Sequence, residues 1–243
     1  MTDAARYARQ IVLPAIGEAG QRLIGDSRVV IIGLGGLGNP AATYLAGAGV
    51  GTLELVDHDA VALSNLHRQF LFRDTDLGRP KADVATERLA AYNPDIDVHA
   101  HVTRLDESVF DALLPGAAAV LDCTDNFPTR FAINAACARH RVPLVLGAAI
   151  GVQGQLGIFR HDLPSAACYR CLFDETGEAA EACEDAGVLG PVVGMIGAWQ
   201  AFETLRLLIE DGEAGSRWLH FAPETRTIRA HEIPPDPACP IHA

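Results

Sequence analysis

The stretch RVVIIGLGGLGNPAATYLAGAG, residues 28–49, limits the fold more than any other part of the chain. RVVII is apolar and β-branched, as a strand buried on both faces must be. Gly33, Gly35 and Gly38 follow in G-x-G-x-x-G spacing, with Gly36 as a fourth glycine, and a helical run begins directly after them. Pro40 falls in the first helical turn, where its missing N–H does no harm. Strand, tight turn and helix in this order open a βαβ unit. Its turn lets backbone amides and the positive end of the helix converge on a phosphate.

The same rhythm continues for about 150 residues. GTLELVD (51–57), IDVHAHVT (96–103), AAVLDCTD (118–125) and VPLVLGAA (142–149) read as strands, with helical stretches between them, including RPKADVATERLAAYNP (79–94). Alternation of this kind predicts a doubly wound, Rossmann-like, mostly parallel sheet. An amphipathic helix pair is expected over residues 3–25, ending at Gly25. After residue 150 the pattern changes. GVQGQLGIFR (151–160) is a strand with no crossover helix, residues 190–210 form one long helix, and RWLHFAPETRTIRAHEI (217–233) is a hairpin. The C-terminal third is therefore expected to extend the sheet with antiparallel strands. Residues 1–243 are read as one unit, with a nucleotide-binding part over about 26–150 and a second part over about 151–243.

The formal net charge is −12. A repulsive field of that sign disfavours nucleic acid as a partner, so any phosphate must be held by a local cluster of cations and amides. No run of about 18 apolar residues occurs, and MTDAARYARQ lacks the apolar core of a signal peptide, so no membrane span and a cytoplasmic location are expected. The six cysteines show no repeated spacing. In a cytosolic chain they read as metal ligands, reactive thiols and small core residues rather than disulfides.

Several polar residues fall where strands meet the next helix, at the edge where open α/β sheets bind ligands. Asp57 ends a strand and is placed to accept from ribose hydroxyls. Asn65, Arg68 and Lys81 follow it. A nicotinamide site has little need of several cations there, whereas a triphosphate does. Taken singly, Arg68 and Lys81 read equally as solvated surface charges. In DCTDN (122–126), Asp125 is suited to Mg²⁺, while Asp122 and Asn126 serve equally as helix caps. Cys168-x-x-Cys171 and Cys239-x-x-His242 are two short pairs far apart in sequence, able to close a tetrahedral Zn²⁺ site. Cys123 and Cys137 sit in apolar contexts and read as small buried residues.

RYARQ, GLGGLGNP, VDHD, LSNLHRQ, GRPKA, DCTDN, CYRC and AGVLGPVVG occur in this order from Arg6 to His242. In that combination the chain resembles the bacterial E1-like adenylyltransferases of the MoeB/ThiF/HesA family. The resemblance implies ATP and Mg²⁺ as cofactors and, as substrate, the Gly-Gly tail of a small ubiquitin-like sulfur carrier protein. The tail is activated as an acyl-adenylate for thiamine, molybdopterin or related sulfur pathways. It also implies a homodimer and, with no room for a rhodanese domain, a separate sulfur donor. Residue by residue, it assigns the nucleotide to Gly33, Gly35, Gly36, Gly38, Asp57, Ser64 and Asn126, and its phosphates to Asn65, Arg68 and Lys81. Asp125 becomes the Mg²⁺-binding acid, and Arg9 a residue that reaches the nucleotide of the neighbouring subunit. Cys183 matches a cysteine used for sulfur transfer or carrier linkage in some members, although its neighbours Glu181, Glu184 and Asp185 disfavour a thiolate. The last metal pair of the family is usually C-x-x-C, so His242 is a departure. Two other readings compete: an NAD-dependent oxidoreductase, supported by the glycine loop and Asp57, and a non-catalytic zinc-bearing nucleotide-binding scaffold.

Overall fold

The structure, a computed structural model, describes residues 5–164, 166–174, 187–209, 215–223, 225 and 227–242. Cys183 lies outside them. Eight strands form one sheet: β1 (Arg28–Ile32), β2 (Thr52–Val56), β3 (Asp97–His101), β4 (Ala119–Asp122), β5 (Leu144–Ile150), β6 (Gln153–Phe159), β7 (Arg217–Ala222) and β8 (Thr227–Glu232). Their order across the sheet is β3-β2-β1-β4-β5-β6-β7-β8. The first five run parallel, and β6, β7 and β8 each pair antiparallel with the strand before. The expected mostly parallel sheet with an antiparallel extension is therefore present. The strand order reverses between β1 and β4, which is where such sheets open a crevice for ligands.

Burial explains the strand sequences. β1 and β4 lie in the middle, are buried almost throughout, and are almost wholly apolar. β3 and β8 are the edges, and β8 exposes all six residues, which is why TIRAHE carries a cation, an acid and a histidine. Helices α3 (Gly38–Ala48), α4 (Lys81–Tyr92), α5 (Glu107–Leu113) and α6 (Phe127–His140) cross between the parallel strands. The N-terminal helix pair is shorter than expected: α1 (Ala8–Ile11) is a single turn, followed by α2 (Gly17–Gly25). Pro14 and the left-handed φ of 58° at Gly17 separate them.

Helix α7 (Gly190–Ile209) is 20 residues long and, by length and composition alone, would reach across a membrane. It packs instead against α3, β5 and β6. At its centre Gln200 is fully buried, donating from Nε2 to the carbonyls of Asp122 (2.9 Å) and Val145 (3.0 Å). Its Oε1 accepts from the Cys123 thiol at 3.5 Å. One amide thus ties α7 to the carboxyl end of β4 and the beginning of β5. Burial pushes the thiols of Cys123 and Cys137 well up, with the carboxylate of Asp122 adding to the effect, so both are inert core residues.

Candidate active site

A cleft of about 720 Å³ opens at the carboxyl ends of β1, β2 and β4, at the switch point. The glycine loop forms one wall. Gly33 has φ of 89°, and a Cβ on it would stand 2.9 Å from the carbonyl oxygen of Cys123. A Cβ on Gly38 would fall 1.9 Å from the carbonyl oxygen of Gly33, so neither position accepts another residue without moving backbone. Gly33, Gly35 and Gly36 line the cleft. Gly38 does not; it begins α3, and its role is to close the turn.

Asp57 is 8% exposed and already engaged at both oxygens. Oδ2 accepts from the Leu34 amide at 2.7 Å, and Oδ1 from the Asp59 amide at 2.8 Å. It therefore shapes the glycine loop as well as facing the cleft. Asn39, also buried, extends this scaffold. Its Nδ2 donates to the Leu34 carbonyl and its Oδ1 accepts from the Leu71 amide at 2.7 Å. A single side chain so joins the glycine loop to the segment that carries Arg68.

Arg68 and Lys81 both line the cleft, and neither is the freely solvated charge that each alone suggested. Lys81 is 6% exposed, with Nζ 2.9 Å from Asp59 Oδ2. Burial raises the Asp59 carboxyl, but the hydrogen bond and charge of Lys81, with His58 and Arg104, outweigh this and hold it below the usual range. Arg68 Nη1 donates to the Ser64 carbonyl at 3.1 Å and to His67 Nε2 at 2.7 Å. Its Cδ lies 3.2 Å from where a Gly36 Cβ would stand, so the glycine makes room for the arginine. Asn65 lines the cleft and accepts from the Ala62 amide at 3.3 Å. Ser64 is exposed and is not among the residues that line the cleft; its carbonyl accepts from Arg68.

Asp125 opens onto the cleft from the loop after β4. Asn126 beside it also lines the cleft, and caps α6 by accepting from the Thr129 amide at 3.0 Å. Asp122 is not a cap but a fully buried carboxyl. Arg9 is exposed on α1 and does not line the cleft of its own chain. Several cleft residues were missed from sequence, among them Asp59, Arg104, Gln69 and Arg130. Gln69 is 2% exposed and its Oε1 has no described partner. Arg130, 6% exposed, lies one helical turn beyond Asp125. The signal for Gln69 was its place in LSNLHRQ; Arg130 carried none apart from its helix.

Away from the cleft, Cys168, Cys171, Cys239 and His242 present ligand atoms all within 4.8 Å of one another. The Cys168 and Cys239 sulfurs are 3.6 Å apart, and those of Cys168 and Cys171 3.9 Å. Two amides point at Cys171 Sγ, from Cys168 (3.4 Å) and Asp236 (3.5 Å). Burial, with the neighbouring Cys171 and Cys239 adding to it, pushes the Cys168 thiol up to about 12. Three sulfurs and an imidazole this close suit a divalent cation, which reverses that effect by binding thiolate.

Fold and cleft together define a doubly wound α/β protein with a crevice at its switch point, lined by a glycine loop, the basic side chains Arg68, Lys81, Arg104 and Arg130, and the acids Asp57, Asp59 and Asp125. The chain belongs to the ThiF family, whose model matches residues 7–241. It is 50% identical over 206 residues to the sulfur carrier protein ThiS adenylyltransferase of Escherichia coli, covering 85% of this chain and 82% of that protein. It is 42% identical over 242 residues to the molybdopterin-synthase adenylyltransferase of Salmonella typhimurium, covering 98% and 96%. The fold matches that of Escherichia coli MccB crystallised with ATP, with a TM-score of 0.86 at 21% identity, covering all of this chain and 75% of that one.

Proposed function

We propose that the chain is an ATP-dependent adenylyltransferase that activates the C-terminal carboxylate of a small sulfur carrier protein. The observation that carries this is the meeting of Asp57, Arg68, Lys81 and Asp125 around one glycine-walled cleft. Its volume lies within the usual range for small-molecule sites. In this reading the amides of Gly35 and Gly36 approach the phosphates and Asp57 accepts from the ribose. Arg68 and Lys81 neutralise phosphate oxygens, and Lys81 exchanges Asp59 for them. Asp125 would hold Mg²⁺, which supplies charge neutralisation at the triphosphate when bound; an exposed carboxylate facing a phosphate cleft suits that ion.

A carboxylate oxygen of the carrier tail forms a bond to the α-phosphorus. The bond from that phosphorus to the bridging oxygen of the β-phosphate breaks, and pyrophosphate leaves with the electron pair. The attacking carboxylate is ionised at neutral pH, so the step needs no general base. It needs cations, because two anions must be brought together and charge grows on the leaving group. Arg9 fits as a further cation contributed by a second copy of the chain, since it is free at the surface and remote from its own cleft. Cys168, Cys171, Cys239 and His242 would hold a structural zinc ion with no open position.

The test is ATP–pyrophosphate exchange with purified carriers. Exchange that requires both Mg²⁺ and a carrier ending in Gly-Gly supports the reading. A chain that catalyses none with any such carrier, or that binds NADH in this cleft, contradicts it.

A further inference from the structure

Thr124, the residue before Asp125, is gripped at both its amide and its carbonyl by residues the adenylylation reading does not use. Asp122 Oδ1 accepts from the Thr124 amide at 2.9 Å and from its hydroxyl at 2.6 Å. Arg130 Nη2 donates to the Thr124 carbonyl at 2.9 Å. That carbonyl belongs to the Thr124–Asp125 peptide bond, so holding it fixes the plane from which the Asp125 side chain departs. On the far side, the Asn126 cap fixes the start of α6. Asp125 itself is exposed, and these anchors set its direction.

Both anchors are more buried than a local turn requires. Asp122 is fully buried, its Oδ2 without a described partner, and Arg130 is 6% exposed with Nε likewise unpaired. An ion kept in the interior is costly unless compensated. Burial pushes the Asp122 carboxyl up, and the Arg130 guanidinium, with the Thr124 hydrogen bonds, offsets part of that rise; Arg130 also stands over the Phe127 ring at 5.5 Å. Gln200 holds the carbonyl of Asp122 itself, so the start of the turn is tied to α7 as well.

We propose that Arg130 and Asp122 are positioning residues for the metal-binding role of Asp125. They pin Thr124 at its N–H and at its carbonyl, the two peptide planes that lead into Asp125, so that the carboxylate meets a nucleotide-bound cation without having to reorient. The proposal rests on the Mg²⁺ reading of Asp125, and its test separates the two.

Mn²⁺, as a Mg²⁺ surrogate, is titrated into protein loaded with a non-hydrolysable ATP analogue, and bound metal is read by electron paramagnetic resonance. Asp125→Asn serves as the control and is expected to weaken Mn²⁺ at least about tenfold. Arg130→Met is expected to weaken it about three- to tenfold, with Arg130→Lys recovering most of the loss by keeping a charged donor near the carbonyl. The Mg²⁺ concentration for half-maximal pyrophosphate exchange should rise in parallel. Simple loss of folded protein lowers the maximum without moving that midpoint. Should Arg130→Met fold poorly because it orphans Asp122, the double variant D122N/R130M removes both charges and is titrated instead, with the same weakening expected. Mn²⁺ affinity within twofold of wild type in the arginine variants, with Asp125→Asn weakened, overturns the positioning role alone. Unchanged affinity in Asp125→Asn overturns the reading of Asp125 and this proposal with it.

Discussion

Single residues here act through partners that are distant in sequence. Lys81 and Asp59 are 22 positions apart, and their ion pair makes Lys81 a buried, directed cation rather than a surface charge. Nothing local in GRPKA carries that information, so sequence left its setting open. Arg68 is held by Ser64 and His67 and packs by Gly36, ready to meet phosphate with little loss of side-chain entropy. Removing one such charge from a site of this type costs about 10²–10³ in rate. Arg68→Ala should therefore lower pyrophosphate exchange by about that factor with the melting temperature nearly unchanged; a rate within threefold of wild type would remove Arg68 from the site. Ser64 shows the opposite limit. Asn65, Arg68 and Gln69 of LSNLHRQ line the cleft, whereas Ser64, in the 3-10 turn over Leu63–Asn65, is exposed to solvent.

Elements were more legible than side chains, because periodicity and glycine placement are local. The strand, glycine turn and helix over residues 28–48 follow from sequence almost to the residue. So does the change to antiparallel pairing at β6, since only two residues separate it from β5. The C-terminal ligand pair is an element-scale device. Cys168 precedes and Cys171 ends a 3-10 turn whose Tyr169 sits among Phe131, Phe159, Phe173 and Trp218 with ring centroids 4.8–6.3 Å away. This aromatic core does not depend on metal, so zinc should fasten the tail without holding the sheet. Chelation, or Cys239→Ser, should release about one zinc per chain and increase amide exchange at residues 236–242. The sheet should melt nearly as before; global unfolding on chelation would contradict a local role. His242 is the exposed member of the group, where an imidazole can stand in for a thiolate with no core to disturb.

At the scale of the whole molecule, one chain supplies a cleft but leaves Arg9 outside it. No periodicity reports such an arrangement, and only the resemblance pointed to a second subunit. If the site is shared across a two-fold axis, Arg9→Ala and Arg68→Ala chains, each inactive alone, should complement when mixed. Random pairing puts one intact site in each mixed dimer, so about one quarter of wild-type activity is expected. No recovery after subunit exchange would confine each site to one chain. The most direct measurement of the central claim is the intact mass of a Gly-Gly-ending carrier after incubation with the chain, ATP and Mg²⁺. The account predicts a carrier heavier by one adenylyl group, an adduct lost on treatment with hydroxylamine and absent when the terminal glycine is deleted. A carrier of unchanged mass, while the chain is folded and binds ATP, would contradict it.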